Sequence, residues 1–332
     1  FGSETVKNDL EIGLRFHQDQ IDRYQWVDTY KMDEGTMMLT SAGVPGTESN
    51  RIETADAFAG YVQYNLQVGN WTIVPGLRYE NISIERLDYG KEDPGRTGID
   101  LSTRSNQVDV VIPGIGIDYK INGHWNTFMG IHKGFSPPGS KEGTEPEESV
   151  NYELGFRYQQ KSLYIQSVLF FNDYSNLLGS DLAASGGLGT TDQFNGGSVD
   201  VSGIEFELHY DILASSKSSL SLPVGLTYTL TEGEFQNSFD SEYEGWGQVE
   251  EGDQLPYLPR HQLALFFGLE SGRYSINLST KYQSALRTVP GQGDIPIEES
   301  TDSQFVIDFS TNYHFSKNIS LFGSLRNLTD QV

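Results

Sequence analysis

Apolar and polar residues alternate with a period of two along almost the whole chain. In 274–283, Tyr274, Ile276, Leu278 and Tyr282 are interleaved with Ser275, Asn277, Ser279, Lys281 and Gln283. In 305–315, Phe305, Ile307, Phe309, Tyr313 and Phe315 alternate with Val306, Asp308, Ser310, Asn312 and His314. The segment 152–159 sets Tyr152, Leu154, Phe156 and Tyr158 against Glu153, Gly155, Arg157 and Gln159, and 220–230 sets Leu220, Leu222, Val224, Leu226, Tyr228 and Leu230 against small or polar residues. Successive side chains of a strand point to opposite faces, so each run predicts a strand with one apolar, aromatic face and one polar face. About thirteen such segments can be read, near 9–30, 51–68, 71–88, 105–121, 125–136, 147–161, 163–177, 195–212, 219–232, 258–271, 273–287, 302–316 and 319–330. Many exceed the roughly 9–11 residues a tilted strand needs to cross a bilayer. Strands of soluble proteins run to about 5–6.

The connections alternate in length. Tight turns are predicted at Gly69-Asn70, Asn122-Gly123, Gln160-Lys161, Ser271-Gly272 and Ser316-Lys317-Asn318, with a slightly longer one near 214–218. Between them fall long loops near 31–50, 89–104, 137–146, 178–194, 233–257 and 288–301. Short turns at one end and long loops at the other are the pattern of an outer-membrane barrel. The fold predicted is therefore all-β: a transmembrane, antiparallel, up-and-down β-barrel. Its lipid face takes Tyr282, Phe309, Phe156 and Leu226, and its inner face takes Lys281, Asp308, Arg157 and Thr227. Arg15, Arg78, Arg157, Lys281 and Arg326 share the inner-face pattern with Glu11, Glu80, Glu153, Glu205, Glu207 and Asp308. A mixed-charge lumen suits a barrel of about 22 strands filled by a plug, although an open porin also has a charged lumen.

Composition narrows the function. The chain has 332 residues, no cysteine and a net charge of -24. Thiolate metal sites and cysteine nucleophiles are excluded, and the acidic balance argues against nucleic acid as a partner. No run of 18 or more apolar residues is present, so no transmembrane helix is predicted. Much of the acidic excess lies in the long loops: 233–257 carries Glu234, Asp240, Glu242, Glu244, Glu250, Glu251 and Asp253 without Lys or Arg, predicting a solvated, mobile, extracellular segment. Enzymatic signals are weak. The six histidines, His17, His124, His132, His209, His261 and His314, show no paired-ligand spacing. Gly114-Ile115-Gly116 lies in a strand, and Gly186-Gly187-Leu188-Gly189 in a long loop, so neither suits a dinucleotide turn opening a helix. No catalytic residue, metal site or resident cofactor is predicted.

Three stretches resemble the TonB-dependent receptor family. Gly134-Phe135-Ser136-Pro137-Pro138, followed by Glu145-Pro146-Glu147-Glu148-Ser149 and Asn151-Tyr152-Glu153-Leu154-Gly155, is similar to a mid-barrel pattern of that family. Leu258-Pro259-Arg260-His261-Gln262 resembles its entry into a late strand, and Asn327-Leu328-Thr329-Asp330-Gln331 the segment before its last strand. Within the family, the stretch Val68 to Glu80 and the tetrapeptide His132-Lys133-Gly134-Phe135 look like ferric dicitrate receptors.

The resemblance implies about 13 strands of a plugged barrel of roughly 22, with residues 1–332 forming part of the barrel domain and the plug, the early strands and the last strand outside it. It implies active uptake of a ferric chelate or siderophore across the bacterial outer membrane, ferric citrate being one candidate. Energy would come from the TonB–ExbB–ExbD complex, and the barrel would contact its own plug, outer-membrane lipid and lipopolysaccharide. Haem, cobalamin or another metal complex, or a passive porin, are the alternatives. The resemblance also places Arg51 about where a ferric dicitrate receptor has a ligand-binding arginine. Its position, where the loop 31–50 re-enters the barrel, allows either a ligand contact or a rim ion pair with Glu48 or Glu53.

Overall fold

The computed structural model describes residues 6–180, 193–216, 218–241 and 246–331. The Gly186–Gly189 run lies outside them. The described chain is built from strands, with a single 3-10 turn at Ile297–Glu299 and no α-helix among the described residues.

Strand β1 (Lys7–Gln25) is followed by a small hairpin, β2 (Thr29–Asp33) and β3 (Thr36–Ser41). Long strands then alternate in direction: β4 (Ser49–Val68), β5 (Trp71–Asp88), β6 (Ser102–Lys120), β7 (Trp125–Ser136), β8 (Glu147–Gln160) and β9 (Leu163–Ser175). A second hairpin, β10 (Leu178–Ser180) and β11 (Gln193–Asn195), precedes β12 (Val199–Asp211) and β13 (Pro223–Phe235). A third, β14 (Phe239–Asp240) and β15 (Gln248–Val249), precedes β16 (His261–Glu270), β17 (Tyr274–Gln283), β18 (Gln304–Ser316) and β19 (Ile319–Leu325). The thirteen long strands form one sheet in which every strand pairs antiparallel with its neighbour in sequence; the three hairpins stand apart as two-stranded sheets. All three hairpins lie in the long connections, so short turns gather at one end of the sheet and elaborated loops at the other.

The register fixes the two faces. Thr227, Ala264, Lys281 and Val306 are mutually paired, as are Tyr228, Leu263, Tyr282 and Phe305 one residue away. Followed strand by strand, this puts Lys281, Asp308, Arg157 and Thr227 on one face and Tyr282, Phe309, Phe156 and Leu226 on the other, as the alternation predicts. Curvature identifies the inner one. Ala59, Ile82, Val108, Val110, Val168 and Val199 are buried and share the polar face, whereas Phe58, Leu77, Val111, Leu154, Phe156 and Leu169 are exposed on the apolar face. Side chains converge on a concave surface and splay on a convex one, so the polar face is concave.

The convex face carries a belt with aromatic borders. On β5 it runs Trp71, Ile73, Pro75, Leu77, Tyr79 and then turns polar at Asn81, Ser83 and Glu85. On β6 it runs Tyr119, Ile117, Ile115, Pro113, Val111 and turns polar at Asp109 and Gln107. Trp71 and Tyr119 pack together at the lower border, with ring centroids 4.4 Å apart. At the upper border the Tyr79 hydroxyl and the Asn81 amide donate to Asp109 at 2.5 and 2.8 Å. Aromatic girdles around an apolar band are what a bilayer demands of a barrel. Strands β4 to β6 continue past this band toward the loop end.

On the concave face, aromatic rings lie over cross-strand glycines. Gly13 pairs with Tyr61, Gly155 with Phe128 and Gly203 with Phe170. A β-carbon at any of these glycines would come within 3.0 Å of the facing ring. Arg157 caps one of these pairs, its guanidinium 5.1 Å from the Phe128 ring centre.

Strand limits depart from the sequence reading where side chains compete for the backbone. Leu220 and Leu222 continue the alternation of β13, yet the strand opens only at Pro223. The Asp211 carboxylate accepts the Leu213 and Leu222 amides at 3.0 and 2.9 Å and the Ser221 hydroxyl at 2.9 Å, tying that stretch to the end of β12 and leaving it a single bridge, Ser221 to Glu270, on the other side. The first segment, read as 9–30, ends at Gln25, and the loop beyond it folds into the β2–β3 hairpin. The acidic loop 233–257 is also not a bare solvated strap. Phe235 and Val249 are fully buried with Val199, and Tyr174, Leu177, Phe239, Trp246 and Leu255 pack around them.

Candidate ligand-binding site

The loop-end tops of β1, β4, β5 and β6 bring four arginines together on the concave face. Arg23 pairs directly with Arg51, and Arg51 with Asp88. One step lower, Glu53 pairs with Arg86, and Arg86 with Arg104. Two carboxylates therefore stand among four guanidiniums, a local excess of positive charge in a chain whose net charge is -24.

Ion pairs organise the cluster. The Arg51 Nε lies 2.9 Å from Glu53 Oε1, and the Arg86 Nε lies 3.7 Å from the same oxygen. Arg86 also donates to Asp88 Oδ2 at 2.6 Å. Arg51 and Arg86 are 8% and 7% exposed, whereas Arg23 is half-buried and Arg104 exposed. The cluster thus has a buried, neutralised base and two more accessible guanidiniums. Arg51, the single arginine that sequence reading singles out, belongs to the base, and of the two rim partners open to it Glu53 is the one it meets. Arg23, Arg86 and Arg104 were missed. The signal that could have found them is positional: each lies near a strand end, on the polar half of the alternation, level with Arg51 or one step below it.

The neighbouring loop leaves this surface open to the barrel mouth. Asn50 is nearly fully buried, and its amide donates to the carbonyls of Asp93 at 2.7 Å and Gly90 at 3.1 Å. Arg96 donates to Asn50 Oδ1 at 2.8 Å and makes two bonds to Asp22, at 2.5 and 3.0 Å. The Tyr24 hydroxyl donates to the Pro94 carbonyl at 2.6 Å. Asp22, Tyr24 and Asn50 all lie on the convex face, so loop 89–101 is clamped outside the rim and does not fold over the arginines. The Asp93 carboxylate closes that loop on itself. It accepts the Thr97 amide at 2.9 Å, the Gly98 amide at 2.7 Å and the Thr97 hydroxyl at 3.0 Å, which holds its pKa below the ordinary 3.8.

Lower on the concave face several inner charges are partnered locally. Arg78 pairs with Glu80 at 2.5 Å, Tyr61 donates to Glu11 at 2.6 Å, and Arg157 donates to Gln166 at 2.8 Å. Contacts of this kind can line a hydrated passage or face a second domain.

The profile of the family described as TonB dependent receptor-like, beta-barrel, matches residues 2–328. The chain belongs to the TonB-dependent receptor family. TonB-dependent receptor barrels are outer-membrane proteins, so the convex belt of this barrel faces the lipid of the outer membrane. A pesticin receptor of Yersinia enterocolitica is 21% identical over 228 residues, covering 66% of this chain and 31% of that protein. Among solved structures, the ferric citrate transporter FecA in its unliganded form superposes with a TM-score of 0.72 at 18% identity, covering 100% of this chain and 48% of FecA. The siderophore receptor PiuA from Acinetobacter baumannii superposes with a TM-score of 0.72 at 17% identity, covering 100% and 50%. The TonB-dependent receptor barrel described here thus spans about half the length of those structures and about a third of the pesticin receptor. These relatives are named as receptors and transporters; at such identities the structural likeness carries the fold alone.

Proposed function

We propose that the receptor built on this barrel imports an anionic ferric chelate across the outer membrane, energised through TonB, with ferric citrate the first candidate. The observation that carries this reading is the four-arginine cluster on the inner wall at the mouth. A guanidinium presents planar, permanently charged donors that match carboxylate oxygens in pairs. Arg104 and Arg23 would contact the ligand, while Arg51 and Arg86, fixed by Glu53 and Asp88, would hold the positive field in place. The partners on this reading are the TonB–ExbB–ExbD complex, a plug domain filling the lumen, and lipid and lipopolysaccharide around the belt. No chemistry is done on the ligand.

The test uses the intact receptor in outer membranes, with ferric citrate as the probe. Arg104→Ala and Arg23→Ala should each weaken binding about tenfold to a hundredfold, since a hydrogen bond to a charged group contributes roughly 1.5–3 kcal/mol. Receptor abundance should stay unchanged, because Arg23 and Arg104 are the more accessible members of the cluster and a surface charge contributes only about 0–1 kcal/mol to folding. Unaltered affinity in both variants would remove the cluster from the site. A wild type that ignores ferric citrate but binds another anionic ferric chelate, in an arginine-dependent manner, would replace the ligand and keep the site.

A further inference from the structure

Three of the four methionines of the chain, Met32, Met37 and Met38, fall within seven residues. All three lie in the β2–β3 hairpin, in the connection between β1 and β4 at the extracellular rim, and the arginine cluster makes no use of them. The turn between the strands is Glu34-Gly35, both residues with positive φ, 46° and 80°. That conformation at both central positions defines a two-residue type I′ hairpin. Asp33 and Thr36 close the turn, and Met32 faces Met37 in the next pair. In such a hairpin the closing pair exchanges both backbone hydrogen bonds, so the next pair is the non-hydrogen-bonded kind, with Cα atoms only about 4.5 Å apart and side chains at their closest. The two thioethers therefore leave the same face of the hairpin side by side.

That face is apolar and bare. Met32 is 70% exposed and Met37 66%, and Tyr30 and Leu39, the next pair along the same face, are 47% and 54% exposed. Methionine is ordinarily a filler of irregular core gaps. Here the thioethers fill nothing and are open to approach. A thioether sulfur is a soft, neutral donor that prefers Cu(I)-like ions and has little affinity for hard cations held by oxygen. Asp33 and Glu34 at the turn place negative charge beside the pair, with Asp33 already 3.2 Å from Lys31.

We infer that Met32 and Met37 form a surface site for a soft monovalent d10 cation, Cu(I) or Ag(I), held between the two sulfurs. Two soft donors suffice for such an ion, and the cross-strand pairing supplies them without rearranging the backbone. Tyr30 and Leu39 shield one side of the ion from water. Met38 points to the opposite face and takes no part. The site is independent of ferric chelate capture, so either can fail without the other.

The experiment uses the intact receptor in detergent, methyl-labelled at methionine and titrated with Ag(I), which needs no reductant. The methyl resonances of Met32 and Met37 should shift together and saturate at one Ag(I) per chain, while those of Met38 and Met129 stay in place. Met32→Leu/Met37→Leu keeps side-chain volume on an exposed hairpin and should lower Ag(I) affinity at least tenfold, with Met38→Leu equal to wild type. Unshifted Met32 and Met37 resonances at saturating Ag(I), or equal losses in the double variant and in Met38→Leu, would overturn the assignment.

Discussion

Gly155→Ala should destabilise this barrel although it adds one methyl group to a strand. In an ordinary strand the change is favourable by roughly 0.5–1 kcal/mol, because glycine loses more backbone freedom on folding. At Gly155 the new methyl meets the Phe128 ring, which crosses from the neighbouring strand and lies over the bare backbone. The ring has to swing away, and Arg157 then loses the surface that its guanidinium covers. Overpacking of this kind costs about 1–3 kcal/mol, so the net effect is a loss of about 1–2 kcal/mol. Phe128→Ala removes the obstacle. In that background Gly155→Ala should be neutral or stabilising by roughly 0.5–1 kcal/mol. The two substitutions are thus coupled by about 2 kcal/mol, well above the ~0.5 kcal/mol within which independent sites add. The assay is equilibrium urea unfolding of the intact receptor in detergent micelles, followed by tryptophan fluorescence for the wild type, the two single variants and the double variant. Additive effects would refute the claim that ring-over-glycine contact sets the cost.

Two further outcomes follow from polar features outside the lipid belt. The Asp93 pKa is depressed chiefly by the Thr97 amide, with further help from the Gly98 amide and Thr97 hydroxyl, so its contribution to loop 89–101 is present above the ordinary carboxylate value of 3.8 and is lost as pH falls through the lower, folded-state value. Hydrogen exchange should find the Thr97 and Gly98 amides protected near neutral pH and released in acid, and Asp93→Asn should abolish that step. Asp173, Asp200 and Glu234 face one another across three adjacent strands on the convex side, and like charges directly opposite are unfavourable by roughly 0.2–1 kcal/mol. Asp200→Asn should raise the urea midpoint, more so at low salt; a lower midpoint would contradict the register.

The barrel architecture was legible because each strand must satisfy lipid on one side, and that demand writes itself into every second residue. Turn positions were equally plain wherever a tight turn joined two alternating runs, as at Gly69-Asn70. Strand ends were harder. Nothing in the alternation of Leu220 and Leu222 shows that Asp211, across the turn, captures the Leu222 amide and Ser218 the Leu220 amide. The loops were the least readable, since the apolar residues that bury Phe235 and Val249 come from separate stretches of the chain and have no period. The arginine cluster was read only in part for the same reason: Arg23, Arg51, Arg86 and Arg104 lie far apart in sequence and meet only through strand register. Arg51 was found by resemblance, and its neighbours needed the sheet.

The length of β5 has a last consequence. Its apolar belt ends at Tyr79, while Asp88 and Arg86 lie at the far end of the strand, roughly 25 Å further along at about 3.3 Å per residue. The arginines therefore stand on a collar above the bilayer, with Arg23 and Arg104 the ones more open to the medium. On the proposed function, selection at such a collar would precede any commitment to crossing and would act through salt solution rather than through hydrocarbon. At physiological ionic strength fields fade over about 8 Å, so the collar would act on what already touches it and would not attract from afar. On the same reading, discrimination and passage would then be separate properties of one wall: residues near the rim would decide which molecule is admitted, residues below Tyr79 how it travels, and evolution could retune the first without disturbing the second.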